Sequence, residues 1–188
     1  MKQAQVLNDK DIKRVLAAIA KRSYSSRDRA MFMLSVLAGM RVGEITTLKV
    51  CDVYEADGAV KDSIRLSSAQ TKGSEARTVL LNAQAQEELR VYARTLSRRG
   101  EQPLFVSKCG KAMSPNSLVQ VFGRFYKLAG LSNASSHSGR RSFITALSSK
   151  GVSVRVLAAL AGHKNITTTQ RYIEVGEHQL RAAVEMLR

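Results

Sequence analysis

The chain carries three short polar signals in its last third: His137-Ser138-Gly139-Arg140, Gly162-His163 and Gln170-Arg171-Tyr172. Two histidines, arginines and a tyrosine interrupt an otherwise apolar helical pattern. No carboxylate lies between Lys127 and Arg171, so the region is suited to an anion. A tyrosine in such surroundings is a candidate nucleophile towards phosphate, because neighbouring cations lower the cost of forming its phenolate. His137 and Arg140 are three apart, which at the start of a helix turns both side chains one way. The helix N–H groups would add to an anion site there.

Two further segments belong with these. Ala38-Gly39-Met40-Arg41-Val42-Gly43-Glu44 places an arginine just after a glycine and three residues before an acid. Thr71-Lys72-Gly73 sits in a polar loop, where a lysine's four-carbon stem can swing into a groove. An arginine's planar fork can bond two phosphate oxygens at once, which a lysine cannot do.

The composition agrees with a polyanionic partner. Over 188 residues there are 30 Lys+Arg against 15 Asp+Glu, a formal net charge of +15. Each cation that neutralises a phosphate releases condensed counterions, so such an excess favours nucleic acid. Cys51 and Cys109 form no CxxC pair and no Cys/His cluster. That excludes a disulfide framework or a zinc finger and fits a reducing compartment. No apolar run approaches the roughly 18 residues of a membrane span, and the first residues lack the apolar stretch of a signal peptide. The reading is a cytoplasmic protein.

The elements that must position these residues are mostly helical. Asn8 caps a first helix whose Ile12, Val15, Leu16 and Ile19 make one stripe. A second helix is expected over 26–37, and a short third after Arg41 with Ile45 and Leu48 inward. From 50 to 81 the period changes: Val50 and Val53, the Asp57-Gly58 turn, Ile64 and Leu66, then Val79 and Leu81 predict an antiparallel sheet of three strands. The polar loop 67–77 lies between the last two. Helices follow over 83–96, then from Ser114-Pro115 to Gly130 with Val121, Phe122, Phe125 and Leu128 inward. The remaining helices are expected over 139–149, 153–161 and 177–187. Tyr126 reads as core, Tyr54 and Tyr92 as ordinary strand and helix residues, and His178 as exposed or capping. No repeat or linker divides the chain, so 1–188 reads as a single α+β, mostly α-helical domain with a small three-stranded antiparallel sheet.

In order and spacing, the five segments resemble the tyrosine recombinase, or phage integrase, family over nearly the whole chain. The resemblance implies the catalytic-domain fold of that family. It implies a site-specific recombinase or integrase that cleaves and rejoins DNA through a 3′-phosphotyrosine, with no cofactor and no metal. Arg41 and Arg140 would clamp the scissile phosphate, with Glu44 orienting Arg41 or capping its helix. Lys72 would be the general acid for the departing 5′-oxygen, His137 and His163 would bond the phosphate, and Tyr172 would attack it. Arg141, one step round from Arg140, competes for the second clamp by position alone. The family more often shows Asp-Leu where this chain has Ser138-Gly139, and Leu-Gly-His where it has Ala161-Gly162-His163; Gly139 should cost helix stability.

The residues support that chemistry independently. Cutting a strand without water needs a covalent nucleophile, cations on the non-bridging oxygens and an acid for the leaving group. A metal nuclease would hold Mg²⁺ with clustered carboxylates; here the pattern offers arginines and histidines. The resemblance further implies double-stranded DNA as partner, self-association on DNA through the segment bearing Leu180, Ala183, Val184 and Leu187, and a bacterial or phage-encoded, nucleoid-associated protein. The helical DNA-gripping domain usual before such a catalytic domain is not expected within this chain. A topoisomerase of the same chemistry and a DNA-binding accessory protein are the competing readings.

Overall fold

The computed structural model describes residues 4–71, 75–172 and, in the C-terminal segment, 180, 181, 184, 185 and 187. Lys72, Gly73, His178 and most of the helix expected over 177–187 lie outside the described residues. The order of elements is α1 (Asp9–Ala20), α2 (Ser25–Leu37), α3 (Val42–Thr46), α4 (Val50–Val53), β1 (Ser63–Leu66), β2 (Arg77–Leu80), α5 (Ala83–Ala93), α6 (Pro115–Leu128), α7 (Ser138–Ser149), α8 (Val154–Ala161) and α9 (Ile166–Gln170). No described helix is long and apolar enough to cross a membrane.

The core is built round α2. Met31, Phe32, Met33 and Leu34 are all buried, so its middle turn is covered on every side, the pattern of a helix inside a bundle. It packs against α1, α5 and α7. Asp28 is buried within it, and Arg22 and Arg27 reach its two carboxylate oxygens at 2.8 and 2.7 Å; a buried carboxylate persists only when paired in this way. Phe32 meets Phe122 and Tyr126 of α6 edge to face, at ring-centroid distances of 6.2 and 6.4 Å.

The first helix starts as its sequence requires. Asn8 Oδ1 accepts the Asp11 N–H at 2.9 Å, and Asp11 accepts the Asn8 N–H in return, a reciprocal cap that satisfies two orphan donors. Ser114 and Ser153 cap α6 and α8 one way only, each side chain accepting the N–H three residues on, with Pro115 at the first position of α6. Ile45 and Leu48 are buried as expected, and so is Tyr126.

Two expectations are corrected. Among the described residues the sheet has two strands, β1 and β2, antiparallel with Ile64 opposite Val79 and Leu66 opposite Arg77. The expected first strand is the helical turn α4, followed by a single bridge from Tyr54 to Val60. Asp52 decides this: its carboxylate accepts the Lys49 N–H at 2.9 Å, the N3-to-cap bond of a helix start, and it overrides the strand preference of the flanking valines. Leu128 is 62% exposed rather than inward. The buried stripe of α6 runs Leu118, Phe122, Phe125, Tyr126 and Ala129, so its i, i+3, i+4, i+7 drift leaves Leu128 on the outer side.

Gly139 also has a different meaning from the one helix propensity assigns. A Cβ on it would lie 2.5 Å from Ser35 Oγ and 2.9 Å from Ser35 Cβ, so it is the point at which α7 closes on α2. An alanine in an open helix position gains about 1 kcal/mol over glycine. At this contact Gly139→Ala is expected instead to lower stability by about 1–3 kcal/mol, the usual cost of overpacking. Urea denaturation midpoints measure it, and a stabilised variant would show that the two helices part freely.

Candidate active site

The site is organised by the C-terminal end of α8. A helix leaves its last four carbonyls without intrahelical partners, and buried carbonyls require some other donor. Gly162 takes φ +61°, the left-handed conformation in which glycine carries no Cβ penalty. It closes a Schellman turn: His163 N donates to Ala158 O and Gly162 N to Ala159 O, both at 3.0 Å. The next three carbonyls each accept from a different arginine. Arg77 Nη1 donates to Leu160 O at 2.9 Å, Arg140 Nη2 to Ala161 O, and Arg41 Nη2 to Gly162 O at 3.2 Å. Three guanidinium groups thus converge on three consecutive peptide oxygens, at the end of the helix where the dipole favours cations.

Each arginine arrives from a separate element. Arg41 follows the turn that ends α2 and stands at the start of α3. Arg140 lies one residue after Gly139 on α7, is only 5% exposed, and donates through Nη1 to Gly39 O at 2.5 Å. It therefore ties the α2 exit to the α8 end. Arg77 opens β2.

Glu44, 1% exposed, is the counterion. Its Oε2 accepts the Arg41 N–H at 2.8 Å and Arg77 Nη2 at 2.7 Å; its Oε1 accepts Arg41 Nη1 at 2.8 Å and Arg77 Nε at 3.1 Å. Glu44 thereby caps α3 and orients Arg41 at once. Burial pushes its carboxyl up, but Arg77 and then Arg41 outweigh that and hold it below the usual carboxylate range. Three guanidinium groups against one carboxylate leave two positive charges unbalanced. Burial, and then Arg41 and Arg77, push the Arg140 guanidinium down to about 9, still protonated at neutral pH.

His163 continues from the same turn. Its Nδ1 lies 2.8 Å from Thr169 Oγ1 of α9, and burial followed by repulsion from Arg140, Arg41 and Arg77 pushes its pKa down to about 4. The ring is neutral at physiological pH. Tyr172 stacks on it, with ring centroids 5.9 Å apart and planes 19° from parallel. The Arg141 guanidinium stands 5.8 Å from the Tyr172 ring centroid on the other hand, and Thr145 Oγ1 donates to the Tyr172 carbonyl at 3.3 Å. Arg140 rather than Arg141 reaches the end of α8; Arg141 Nη1 donates to Ala4 O at 2.7 Å.

A cleft of about 490 Å³ opens beside these groups, lined by Arg41, Arg77, His163, Lys164 and Thr168 among others. Thr71 and Glu75, the residues that flank the segment containing Lys72, line the same cleft. Glu75 pairs across it with Lys164 at 2.7 Å. Arg41, Arg140, His163 and Tyr172 thus lie together round the end of α8. His137 is exposed at the residue before α7, in contrast to the buried Arg140. Lys72 lies outside the described residues. Among the described residues no group of three or more His, Cys, Asp or Glu side chains could hold a metal ion.

Sequence reasoning missed Arg77, which it left as the last residue of a polar loop. The signal available was its strand position opposite buried Leu66, where an inward arginine demands a buried acid.

With this geometry, comparison with known proteins is decisive. The phage integrase family profile matches residues 5–179. The chain belongs to the phage integrase family. Tyrosine recombinase XerD of Corynebacterium glutamicum is 36% identical over 160 residues, covering 82% of this chain and 50% of that protein. Tyrosine recombinase XerD of Ralstonia nicotianae is 34% identical over 161 residues, with the same coverage. This phage integrase family chain therefore spans about half the length of those curated relatives. In the crystal structure of XerA recombinase the whole chain is matched at a TM-score of 0.78 and 23% identity, covering 66% of that chain, which establishes the fold. XerH site-specific recombinase bound to a palindromic difH substrate, in a post-cleavage complex, matches 95% of this chain and 51% of its own at a TM-score of 0.71 and 25% identity.

Proposed function

We propose that this chain carries out the strand cleavage and rejoining of a site-specific DNA recombinase, as one catalytic unit acting on double-stranded DNA. The observation that carries the reading is the convergence of Arg41, Arg77 and Arg140 on the α8 end, with two charges unbalanced, beside stacked His163 and Tyr172. A phosphodiester brings the missing negative charge. In the proposed step Tyr172 Oη gives up its proton to solvent as it attacks phosphorus, the bond to the 5′-oxygen breaks, and a 3′-phosphotyrosine forms. The leaving 5′-oxygen takes a proton from Lys72. Arg41 and Arg140 hold the non-bridging oxygens, where preorganised donors contribute most. Neutral His163, accepting from Thr169 at Nδ1, keeps its Nε2–H for the phosphate, and His137 approaches from the start of α7. A 5′-hydroxyl, from the same or a partner duplex, then reverses the reaction. The energy of the bond is stored in the phosphotyrosine, so no high-energy cofactor enters.

The named relatives and the DNA complexes of structural neighbours support DNA as substrate, and with it a nucleoid location. Self-association through the C-terminal segment is supported by the exposure of Leu180, Val184 and Leu187, apolar side chains that a partner surface would cover.

The test is adduct trapping on a pool of randomised nicked duplexes, in which the cleaved strand diffuses away and blocks resealing. A protein–DNA adduct stable to denaturant is expected, mapped by peptide mass spectrometry to the peptide containing Tyr172, with its yield unchanged in EDTA. Measurable DNA binding with no adduct would leave an accessory binding protein. Loss of cleavage in EDTA would overturn the metal-free mechanism.

A further inference from the structure

Arg77 has no part in the six-residue set that the sequence pattern supplies, yet all three of its guanidinium nitrogens are bonded within the site. Its Nε and Nη2 form a fork on Glu44 at 3.1 and 2.7 Å, and its Nη1 reaches Leu160 O at 2.9 Å. Its Cδ lies against Gly162, where a Cβ would stand 2.6 Å away. One side chain therefore touches both halves of the arrangement: the Glu44–Arg41 pair and the turn that delivers His163. It also begins β2, the strand that leaves the loop 67–77, so the loop bearing Lys72 is pinned to the site at this residue.

Charge shows why a third guanidinium is needed. Each Glu44 oxygen is shared between Arg41 and Arg77. With Arg77 absent, a carboxylate out of contact with water would hold Arg41 alone. The pair would be neutral, and the oxygens that Arg77 now occupies would be left to Arg41 alone, drawing its fork onto Glu44 and away from a phosphate. With Arg77 present, the one carboxylate is shared by two guanidinium groups, so the Glu44–Arg41–Arg77 cluster keeps one net positive charge for a ligand while Glu44 still orients Arg41.

We propose that Arg77 is a positioning residue for strand cleavage, holding Glu44 and the Gly162–His163 turn so that Arg41 and His163 are free to engage the scissile phosphate. The proposal rests on the cleavage reading above. It differs from a packing role in what its loss does: it changes the net charge around Arg41 and the direction of its fork, which a stabilising contact does not.

The test compares the unchanged protein with Arg77→Met and Arg77→Lys. At saturating DNA, adduct formation by Arg77→Met is expected to fall about a hundredfold, the scale for losing one aligned electrostatic contact, while the Kd for DNA stays within about threefold. Arg77→Lys, which keeps the charge and loses the fork, is expected between the two. The acid limb of the rate profile is expected to move to higher pH in Arg77→Met. Glu44 is faced by Arg41 and Arg77, with Arg140 and His163 nearby, and with one cation gone its carboxyl takes up a proton sooner as pH falls.

A second readout needs no turnover. The ring protons of His163, followed by NMR, report a pKa that Arg77 helps to depress; it is expected to rise in Arg77→Met. Loss of thermal stability with rate and affinity falling together, and neither the acid limb nor the His163 titration moved, would make Arg77 a packing residue and overturn the proposal. An unchanged protein that forms no adduct defeats the cleavage reading instead, while the His163 titration still decides whether Arg77 sets the charge of the site. If Arg77→Met does not fold, both readouts are taken on Arg77→Lys, where an unaltered rate overturns the proposal.

Discussion

Tyr172→Phe is expected to abolish the covalent protein–DNA adduct, lowering strand cleavage by about four orders of magnitude or more, the scale seen when a covalent nucleophile is removed. Affinity for DNA is expected to change by less than about twofold. The reason for that separation is geometric. The phenyl ring keeps its stack on His163 and its contact with Arg141, and the backbone bond from Tyr172 N to Thr169 O at 2.9 Å does not involve the hydroxyl. Only the attacking oxygen is lost. The other described tyrosines cannot replace it: burial pushes the Tyr54, Tyr92 and Tyr126 phenols up, away from ionisation. Tyr54 and Tyr92 also donate to the Leu89 and Leu104 carbonyls. Tyr24, 47% exposed, pairs with the Arg27 guanidinium at the start of α2. Denaturing gels after incubation with nicked duplex make the measurement, and an adduct on the phenylalanine variant would sink the assignment.

Arg140→Lys should be nearly as damaging, although the formal charge is kept. Arg140 bridges Gly39 O and Ala161 O with two nitrogens of one planar group; a lysine has one nitrogen and cannot span both. One buried carbonyl would lose its donor, a cost of about 1–3 kcal/mol, visible as a lower denaturation midpoint. The charge would also be less secure. Burial and the repulsion of Arg41 and Arg77 push the guanidinium down to about 9, where it is still protonated at pH 7. An ammonium starts about two units lower, so the same pressures bring it close to neutrality. Cleavage is expected to fall by about a hundred- to a thousandfold. The residual rate should decline further as pH rises through 7 to 8, because the neutral amine is the form favoured at high pH. The unchanged protein should show no such loss in that range. A lysine variant cleaving at the original rate would show that a point charge suffices and that the double carbonyl bridge is dispensable.

The candidate site was legible in the sequence because its chemistry is written in residue types. Arg41 after a glycine, His137 three before Arg140, Gly162 before His163, and a tyrosine among hydroxyls each have a local reason to stand where they do. The caps at Asn8, Ser114 and Ser153 are equally local, and α1, α6 and α8 begin where those residues require. Local signals also misled. The valines of 50–53 favour a strand, but one carboxylate at Asp52 turned the segment into a helical turn. Leu128 fits the spacing of an inward face, yet the stripe on α6 had already moved past it.

What the sequence determined by itself is therefore the mostly helical frame and the family to which the chain belongs, and with them a set of candidate reactive groups. Capping bonds, periodicity and side-chain chemistry act within a few residues and can be read along the chain. The tertiary structure alone decided which carbonyl each arginine serves, that Glu44 is shared by two of them, that Gly139 is a contact with Ser35 rather than a weakness in a helix, and that Arg77 belongs to the site. Arg77 meets Glu44 and Leu160 across 33 and 83 residues of chain. Contacts of that range come from satisfying the free end of α8 with whatever donors the packed fold delivers, and no spacing rule carries them.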